Sequence, residues 1–141
     1  MCDVSTFNKE IDSLISVIKY NPKIRFSFET DLTHVGVSEL LRRLSGLNVG
    51  VTFDSGNLTK LGFDLNKHID AYANFIDNVH IKDCKLGGPT VKLGTGDTDL
   101  SCLKRLSELK NIEHVTFQTA RSPGTCIDTF KHNVNIIKNI L

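Results

Sequence analysis

The chain has 141 residues, of which 40% are hydrophobic and 23% are charged, and this composition is typical of one globular domain. Its formal charge is +1 with acidic and basic residues interspersed, which argues against a nucleic-acid partner, because such proteins concentrate basic side chains on one face. Hydrophobic runs are short and no basic segment leads into an apolar stretch, so we expect no membrane partner, no secretion signal and a cytoplasmic location.

The cysteines are widely spaced, and no two of them stand at the spacing of zinc ligands. In a reducing compartment we expect reduced thiols that act as small hydrophobic side chains or lie on the surface. These residues are Cys2, Cys84, Cys102 and Cys126.

In chain order, the first half of the sequence alternates between helical and extended patterns. Apolar residues recur every three or four positions over 7–18, which predicts a helix that ends at Asn21-Pro22. Residues 24–29 predict a short strand, and the helical spacing over 37–44 predicts a second helix that closes at Gly46. The chain therefore begins with a helix and then enters a strand-helix unit.

The same strand-helix order recurs through the rest of the chain, and no linker divides it. The remaining predicted elements are a strand at 49–54, a helix at 65–76, a strand at 79–83, a helix at 100–109 that Asp99 could cap, a strand at 114–118 and a helix at 127–141.

Strands that alternate with helices predict a parallel sheet, which is either an open doubly wound sheet or part of a (β/α)8 barrel. The residues at the strand ends favour the barrel. Glu29, Asp54, His80 and Gln118 each stand at or near the end of a predicted strand, and each can coordinate a hard cation. In a barrel the carboxyl ends of the strands converge on one point, whereas in an open sheet they form a line.

Four motifs, in order and over nearly the whole chain, resemble the xylose isomerase-like TIM barrels, specifically their sugar phosphate isomerase/epimerase branch. The resemblance implies that residues 1–141 form one α/β domain, the C-terminal half of a (β/α)8 TIM barrel, with four parallel strands that correspond to strands five to eight. The motifs are Phe28-Glu29, then 51–57 (VTFDSGN), 79–83 (VHIKD) and 93–97 (LGTGD).

In such barrels a Glu, an Asp, a His and a final Glu bind one divalent ion. The resemblance therefore implies a site for Mn²⁺, Mg²⁺, Co²⁺ or Zn²⁺ at Glu29, Asp54, His80 and Gln118. Here the sequence departs from the family, since Gln118 stands where most relatives carry the last glutamate. A neutral amide cannot exchange protons near pH 7, so catalysis would need Glu29 with a second group such as Lys82.

Further residues are candidates for binding the substrate. Lys82 lies two residues beyond His80, so in a strand it faces the same side and could bind phosphate or stabilise negative charge. Gly94 and Gly96 follow the strand whose loop often holds phosphate in barrels, although a plain turn explains them equally well. Arg121 could pair with an anion or form a surface salt bridge, and Asn57 could bind a hydroxyl or serve as a turn residue.

The leading hypothesis is a metal-dependent isomerase or epimerase of a sugar or sugar phosphate that works through an enediolate-type intermediate. A dehydratase of a keto-inositol or keto-sugar would use a similar metal set. A non-catalytic half-barrel remnant or scaffold is the alternative outside enzymology. An abasic-site endonuclease shares the fold but would need more metal ligands and a basic surface.

Half of a barrel leaves two open parallel edges, which predicts a partner that supplies the missing strands. The candidates are a second copy that forms a homodimer, a separate N-terminal half-barrel chain, or a longer parent sequence of which this is a fragment.

Overall fold

The computed structural model describes residues 8–120 and 124–141. The helices of this part of the chain are α1 Asn8–Tyr20, α2 His34–Arg43, α3 Ser55–Lys60, α4 Leu65–Tyr72, α5 Cys102–Ser107 and α6 Cys126–Ile140. The strands are β1 Phe26–Phe28, β2 Val49–Asp54, β3 Ile76–Ile81, β4 Asp83–Cys84, β5 Thr90–Val91 and β6 His114–Phe117.

The main sheet has four parallel strands in the order β1-β2-β3-β6, and helices occur between them along the chain. This confirms the predicted α/β class and the four parallel strands. Strands β4 and β5 form a separate antiparallel pair. Within the described ranges, the helices lack the combination of length and apolarity that crossing a bilayer requires.

Helices cover one face of the sheet. Alternate strand residues such as Val51, Phe53 and Val79 are buried in one apolar cluster with helix residues that include Leu41 and Ile69. Because side chains alternate between the two faces of a strand, the residues between them lie on the opposite face. The carboxyl ends of the strands carry the site described below.

The predicted boundaries were wrong between residues 65 and 83. Helix α4 ends at Tyr72, a 3-10 turn follows at Ala73–Phe75, and Ile76 opens β3 opposite Val51. Ile76 is fully buried. A buried isoleucine fits a helical stripe and a strand equally well, so periodicity alone could not place the boundary.

Other errors concern short elements. Strand β1 is three residues long rather than six, and helix α3 was not predicted. The predicted helix at 100–109 spans only Cys102–Ser107, and Asp99 does not cap it directly. Instead, Asp99 Oδ1 accepts hydrogen bonds from the backbone N–H and the hydroxyl of Ser101, one residue before the helix.

A buried histidine joins α2 and α4. His68 is 1% exposed, its Nδ1 lies 2.8 Å from the Tyr72 hydroxyl, and its ring stacks on Phe63 with centroids 5.4 Å apart. Burial, with a smaller contribution from His34, lowers the pKa of His68 to about 4, while Asp64 acts in the opposite direction. His68 is therefore a neutral core residue at neutral pH.

We expect acid to destabilise the protein through His68. Between pH 6.5 and 4 the unfolded chain binds a proton at this histidine and the folded chain does not, so lowering the pH favours unfolding. The loss over this window is roughly 3 kcal/mol. Urea unfolding at a series of pH values should show it in the wild type and in the control variant His114→Gln, at an exposed histidine of β6, whereas His68→Gln should lack it. Equal pH slopes in all three proteins would contradict the assignment.

Candidate metal centre

Three predicted ligands meet at the carboxyl ends of neighbouring strands. Glu29 directly follows β1, Asp54 ends β2, and His80 lies opposite Asp54 in the parallel pairing of β2 with β3. One potential ligand atom from each of these side chains lies within 4.8 Å of the other two. The sequence prediction that strand ends bring these residues together agrees with this geometry.

The imidazole of His80 is aimed between the two carboxylates. Its Nδ1 lies 3.1 Å from Oε2 of Glu29 and 3.7 Å from Oδ2 of Asp54, but neither contact has hydrogen-bond alignment, so this buried nitrogen has no hydrogen-bond partner. A buried polar atom without a partner is costly, and a cation bound between the two carboxylates would give this nitrogen one. Two carboxylates and one imidazole fit a divalent cation of the Mn²⁺ or Zn²⁺ kind.

Asp54 has two separate tasks. Its Oδ1 accepts the backbone N–H of Asn57 at 2.8 Å and so caps the N-terminus of α3. Its Oδ2 lies 3.1 Å from Nζ of Lys82, and the residue is only 2% exposed. The N-terminus of α3 and the ammonium group of Lys82 thus fix the orientation of the Asp54 carboxylate. Its Oδ2 is left facing His80.

Lys82 lies within the cluster. Its Nζ also donates to Oδ1 of Asn57 at 3.0 Å, and Nδ2 of Asn57 donates to Oε1 of Glu29 at 2.5 Å. The stem of Lys82 lies directly over Gly56, where a Cβ atom would overlap it. Asn57 and Lys82 therefore link two predicted metal ligands, and a residue larger than glycine at position 56 would displace the lysine.

Ser55 ties the end of β3 to α3. Its hydroxyl donates to the carbonyl of Lys82 at 2.7 Å, and it lies 3.0 Å from the backbone N–H of the same residue. The contact fixes the backbone from which Lys82 reaches Asp54. The sequence analysis did not identify Ser55 as a residue that supports the cluster. The available signal was its position directly after Asp54, at the end of a strand.

Gln118 follows β6, and its backbone N–H donates to the carbonyl of Ile81 at 3.0 Å. Because His80 pairs with Thr116, alternation places Gln118 on the same face of the sheet, two residues further along. Its role as a fourth ligand stays a prediction. Arg121 lies outside the described residues, so its predicted anion contact also stays a prediction.

The structure corrects the interpretation of Gly94 and Gly96. Their backbone N–H groups both donate to Oδ2 of Asp83 at 2.8 Å, and the N–H of Thr98 donates to Oδ1 at 3.2 Å. These amides already have a buried carboxylate as their acceptor, so in this conformation they do not form a phosphate cradle. Asp83 was missed by sequence reasoning. Its signal was an acidic residue three positions after His80 and ahead of a glycine-rich loop.

Among the described residues, the free cysteines have no part in this cluster, and Cys2 lies outside the described residues. Cys84 and Cys102 are buried and Cys126 is exposed. Burial, and to a lesser degree the nearby Asp99, raises the pKa of Cys102 to about 12, which makes it an unreactive thiol at neutral pH.

Comparison with solved structures establishes the fold. A xylose isomerase domain protein from Planctomyces limnophilus superposes with a TM-score of 0.76 at 16% identity, over 99% of this chain and 55% of that chain. This chain has the fold of about half of that structure. A D-tagatose 3-epimerase-like protein gives a TM-score of 0.63 at 18% identity, over 92% of this chain and 54% of that one.

Two other matches carry names from sugar and dehydration chemistry. The 3-keto-D-glucoside 4-epimerase YcjR from E. coli superposes with a TM-score of 0.65 at 12% identity, over 91% of this chain and 52% of that chain. AsbF from Bacillus anthracis, a probable 3-DHS dehydratase, gives 0.64 at 14% identity, over 92% and 55% of the two chains. This chain thus spans about half the length of the solved structures that it matches. No protein-family model and no curated protein matches it.

Proposed function

We propose that this chain carries the metal-binding half of a metal-dependent isomerase or epimerase that acts on a sugar or a sugar phosphate. The observation that supports the proposal most is the convergence of Glu29, Asp54 and His80, with Nδ1 of His80 lacking a hydrogen-bond partner. Gln118 would be the fourth ligand. A divalent ion bound there would act as a Lewis acid on a substrate carbonyl.

The residues around this point divide the remaining work. Glu29 is the more exposed of the two carboxylates, and it is the candidate to remove a proton from the carbon beside the carbonyl. Lys82 lies in the same cluster, where a cation stabilises negative charge that develops on a substrate oxygen. Asn57 holds both side chains in place through its amide, and it could also bind a substrate hydroxyl.

The names of the structural neighbours support the substrate class. They include, besides those above, an L-ribulose 3-epimerase and a D-allulose 3-epimerase from Methylomonas. All these neighbours are under 25% identical to this chain, so a sugar substrate for this chain is part of the proposal. A dehydratase is the second candidate, because the same metal cluster would serve proton removal beside a carbonyl and the AsbF structure superposes equally well.

Solvent exchange tests the proposal directly. In D₂O with Mn²⁺, and with this chain completed by the half that supplies the missing strands, a panel of ketoses and ketose phosphates should gain deuterium at the carbon beside the carbonyl. Lys82→Met should slow this exchange about 100-fold, a typical loss for a positioned acid-base or charge-stabilising group. Lys85→Met is the matched control, since Lys85 pairs with Asp97 in the neighbouring loop.

The product separates the candidates. Deuterium in an isomer or epimer supports the proposal, and elimination of water from the substrate supports the dehydratase instead. A completed barrel, formed by this chain and the half that supplies its missing strands, that binds Mn²⁺ but exchanges no proton on any member of the panel would favour the non-catalytic role and overturn the proposed activity.

A further inference from the structure

The face of the main sheet opposite the helices carries a hydrogen-bonded polar network. The network lies nearer the amino ends of the strands than Glu29, Asp54 and His80 do. Asp77 accepts from Nε of Arg25 at 2.5 Å and from the Ser27 hydroxyl at 2.6 Å. Ser27 lies 2.9 Å from the hydroxyl of Thr52, which also accepts from Nδ2 of Asn78 at 3.3 Å. We call this face, which carries Ser27, Gly50, Thr52, Asp77, Asn78, His114 and Thr116, the inner face.

A bulge builds this network into the sheet. Val51 pairs with Ile76 and Thr52 pairs with Asn78, so Asp77 is the extra residue of β3. Its carboxylate lies against Gly50, where a Cβ atom would overlap it. The sheet therefore uses a glycine and a register shift to seat a buried carboxylate at a position where a barrel normally places packing side chains.

The last strand continues the pattern. Val115 of β6 lines a groove of about 270 Å³ on the helix-covered side of the sheet, together with Val79 and Ile81. Its neighbours His114 and Thr116 therefore belong to the inner face, since side chains alternate along a strand. Among the described residues of β1, β2, β3 and β6, no inner-face position carries Val, Ile, Leu, Met or an aromatic hydrocarbon ring.

This composition decides what can complete the barrel. The interior of a (β/α)8 barrel is a packed core, filled in layers in which large branched side chains dominate. A barrel closed by two copies of this chain would have an interior lined only by small or polar side chains, including two Arg25–Asp77 pairs. Such side chains would leave voids, and the residues around those voids would lose van der Waals contacts. We infer that the inner face is completed by a four-stranded half-barrel of different sequence, whose own inner face carries large apolar side chains.

The two edges of the sheet fit such a partner. Strands β1 and β6 are the outer strands of the main sheet, so each has an edge open to pairing. Apolar side chains are exposed beside both edges, with Ile24 at 52% next to β1 and Val115 at 59% on β6. Phe130 of α6, which contacts Phe117 at the end of β6, is also exposed. The matched solved structures, of about twice this length, have room for four further strands.

Site-specific photo-crosslinking in the cells of origin tests the inference, which does not depend on the proposed activity. A photo-reactive residue would replace Thr116 or Ile24 at the two edges, and Lys67, exposed on α4, would be the control position. We expect both edge positions, but not position 67, to crosslink to one amino-acid sequence with large apolar residues at alternate positions of its crosslinked strands, either in a separate polypeptide or elsewhere in the same polypeptide. In the completed barrel, whether it is a 1:1 complex of two polypeptides or one polypeptide with both halves, the amides of β1 and β6 should exchange slowly.

Three results would overturn the inference. The first is crosslinking between two copies of this chain, together with a stable homodimer in sedimentation equilibrium whose β1 and β6 amides are protected from exchange. The second is a crosslinked strand that is polar at its inward positions. The third is no crosslinking at positions 24 and 116 above the level at position 67. None of these results depends on metal binding or on proton exchange in the activity assay.

Discussion

Asp54→Asn should weaken Mn²⁺ binding by about 100-fold or more, since loss of a residue that merely supports a metal ligand already costs 10- to 100-fold. The substitution removes the negative charge that faces His80 and Lys82 while it keeps an oxygen to accept the N–H of Asn57. The cap of α3 is therefore retained, and the substitution should lower the affinity for Mn²⁺ without unfolding the helix end. Equilibrium dialysis followed by metal analysis measures it.

Asp64→Asn is the matched control for this experiment. Asp64 caps α4 through Oδ1, which accepts from the backbone N–H groups of Asn66 and Lys67. The same chemical change at the same kind of helix position, but outside the cluster, should leave Mn²⁺ binding unchanged. Folded Asp54→Asn protein that binds Mn²⁺ as tightly as the wild type would refute the proposed centre. His80→Ala provides a second test, because it removes the unpartnered nitrogen and should also weaken Mn²⁺ binding.

The convergence of three of the predicted ligands was predictable because it depends on topology more than on detail. Parallel strands place their carboxyl ends at one edge, and strand-end Glu29, Asp54 and the nearby His80 needed only the correct strand order to meet. An error of two or three residues in a strand boundary does not move a residue to another edge. For that reason the cluster was found although β1 and β3 were placed incorrectly.

The contacts around the cluster were not predictable in the same way. The inward turn of Asp77 follows from a bulge in β3 opposite positions 51 and 52 of β2, and alternation along a regular strand gives no sign of it. The engagement of Gly94 and Gly96 by Asp83 depends on the path of a loop of more than ten residues. Glycine-rich sequence indicates backbone freedom or close approach, but it does not say whether the approaching group is a phosphate or the chain's own carboxylate.

Asp83→Asn should destabilise the fold by roughly 3 kcal/mol, because hydrogen bonds to a charged acceptor are strong and a buried donor without a partner is costly. Asp83 is 1% exposed and accepts three backbone N–H groups, from Gly94, Gly96 and Thr98. An asparagine offers one oxygen, so its NH₂ group would face at least one of these donors. Urea unfolding measures the loss, and hydrogen exchange should show faster exchange at these three amides than at the amides of β2.

Asp97→Asn is the control within the same loop. Asp97 accepts from the N–H of Leu86 at 2.9 Å and pairs with Lys85, and both partners lie at the surface. Solvent can replace these contacts, so the same substitution should change stability little. Equal effects at positions 83 and 97 would mean that the buried carboxylate does not hold the loop. A large effect at Asp83 alone would show that the glycine-rich loop is fixed from inside the protein, which leaves anion recognition to side chains such as Lys82.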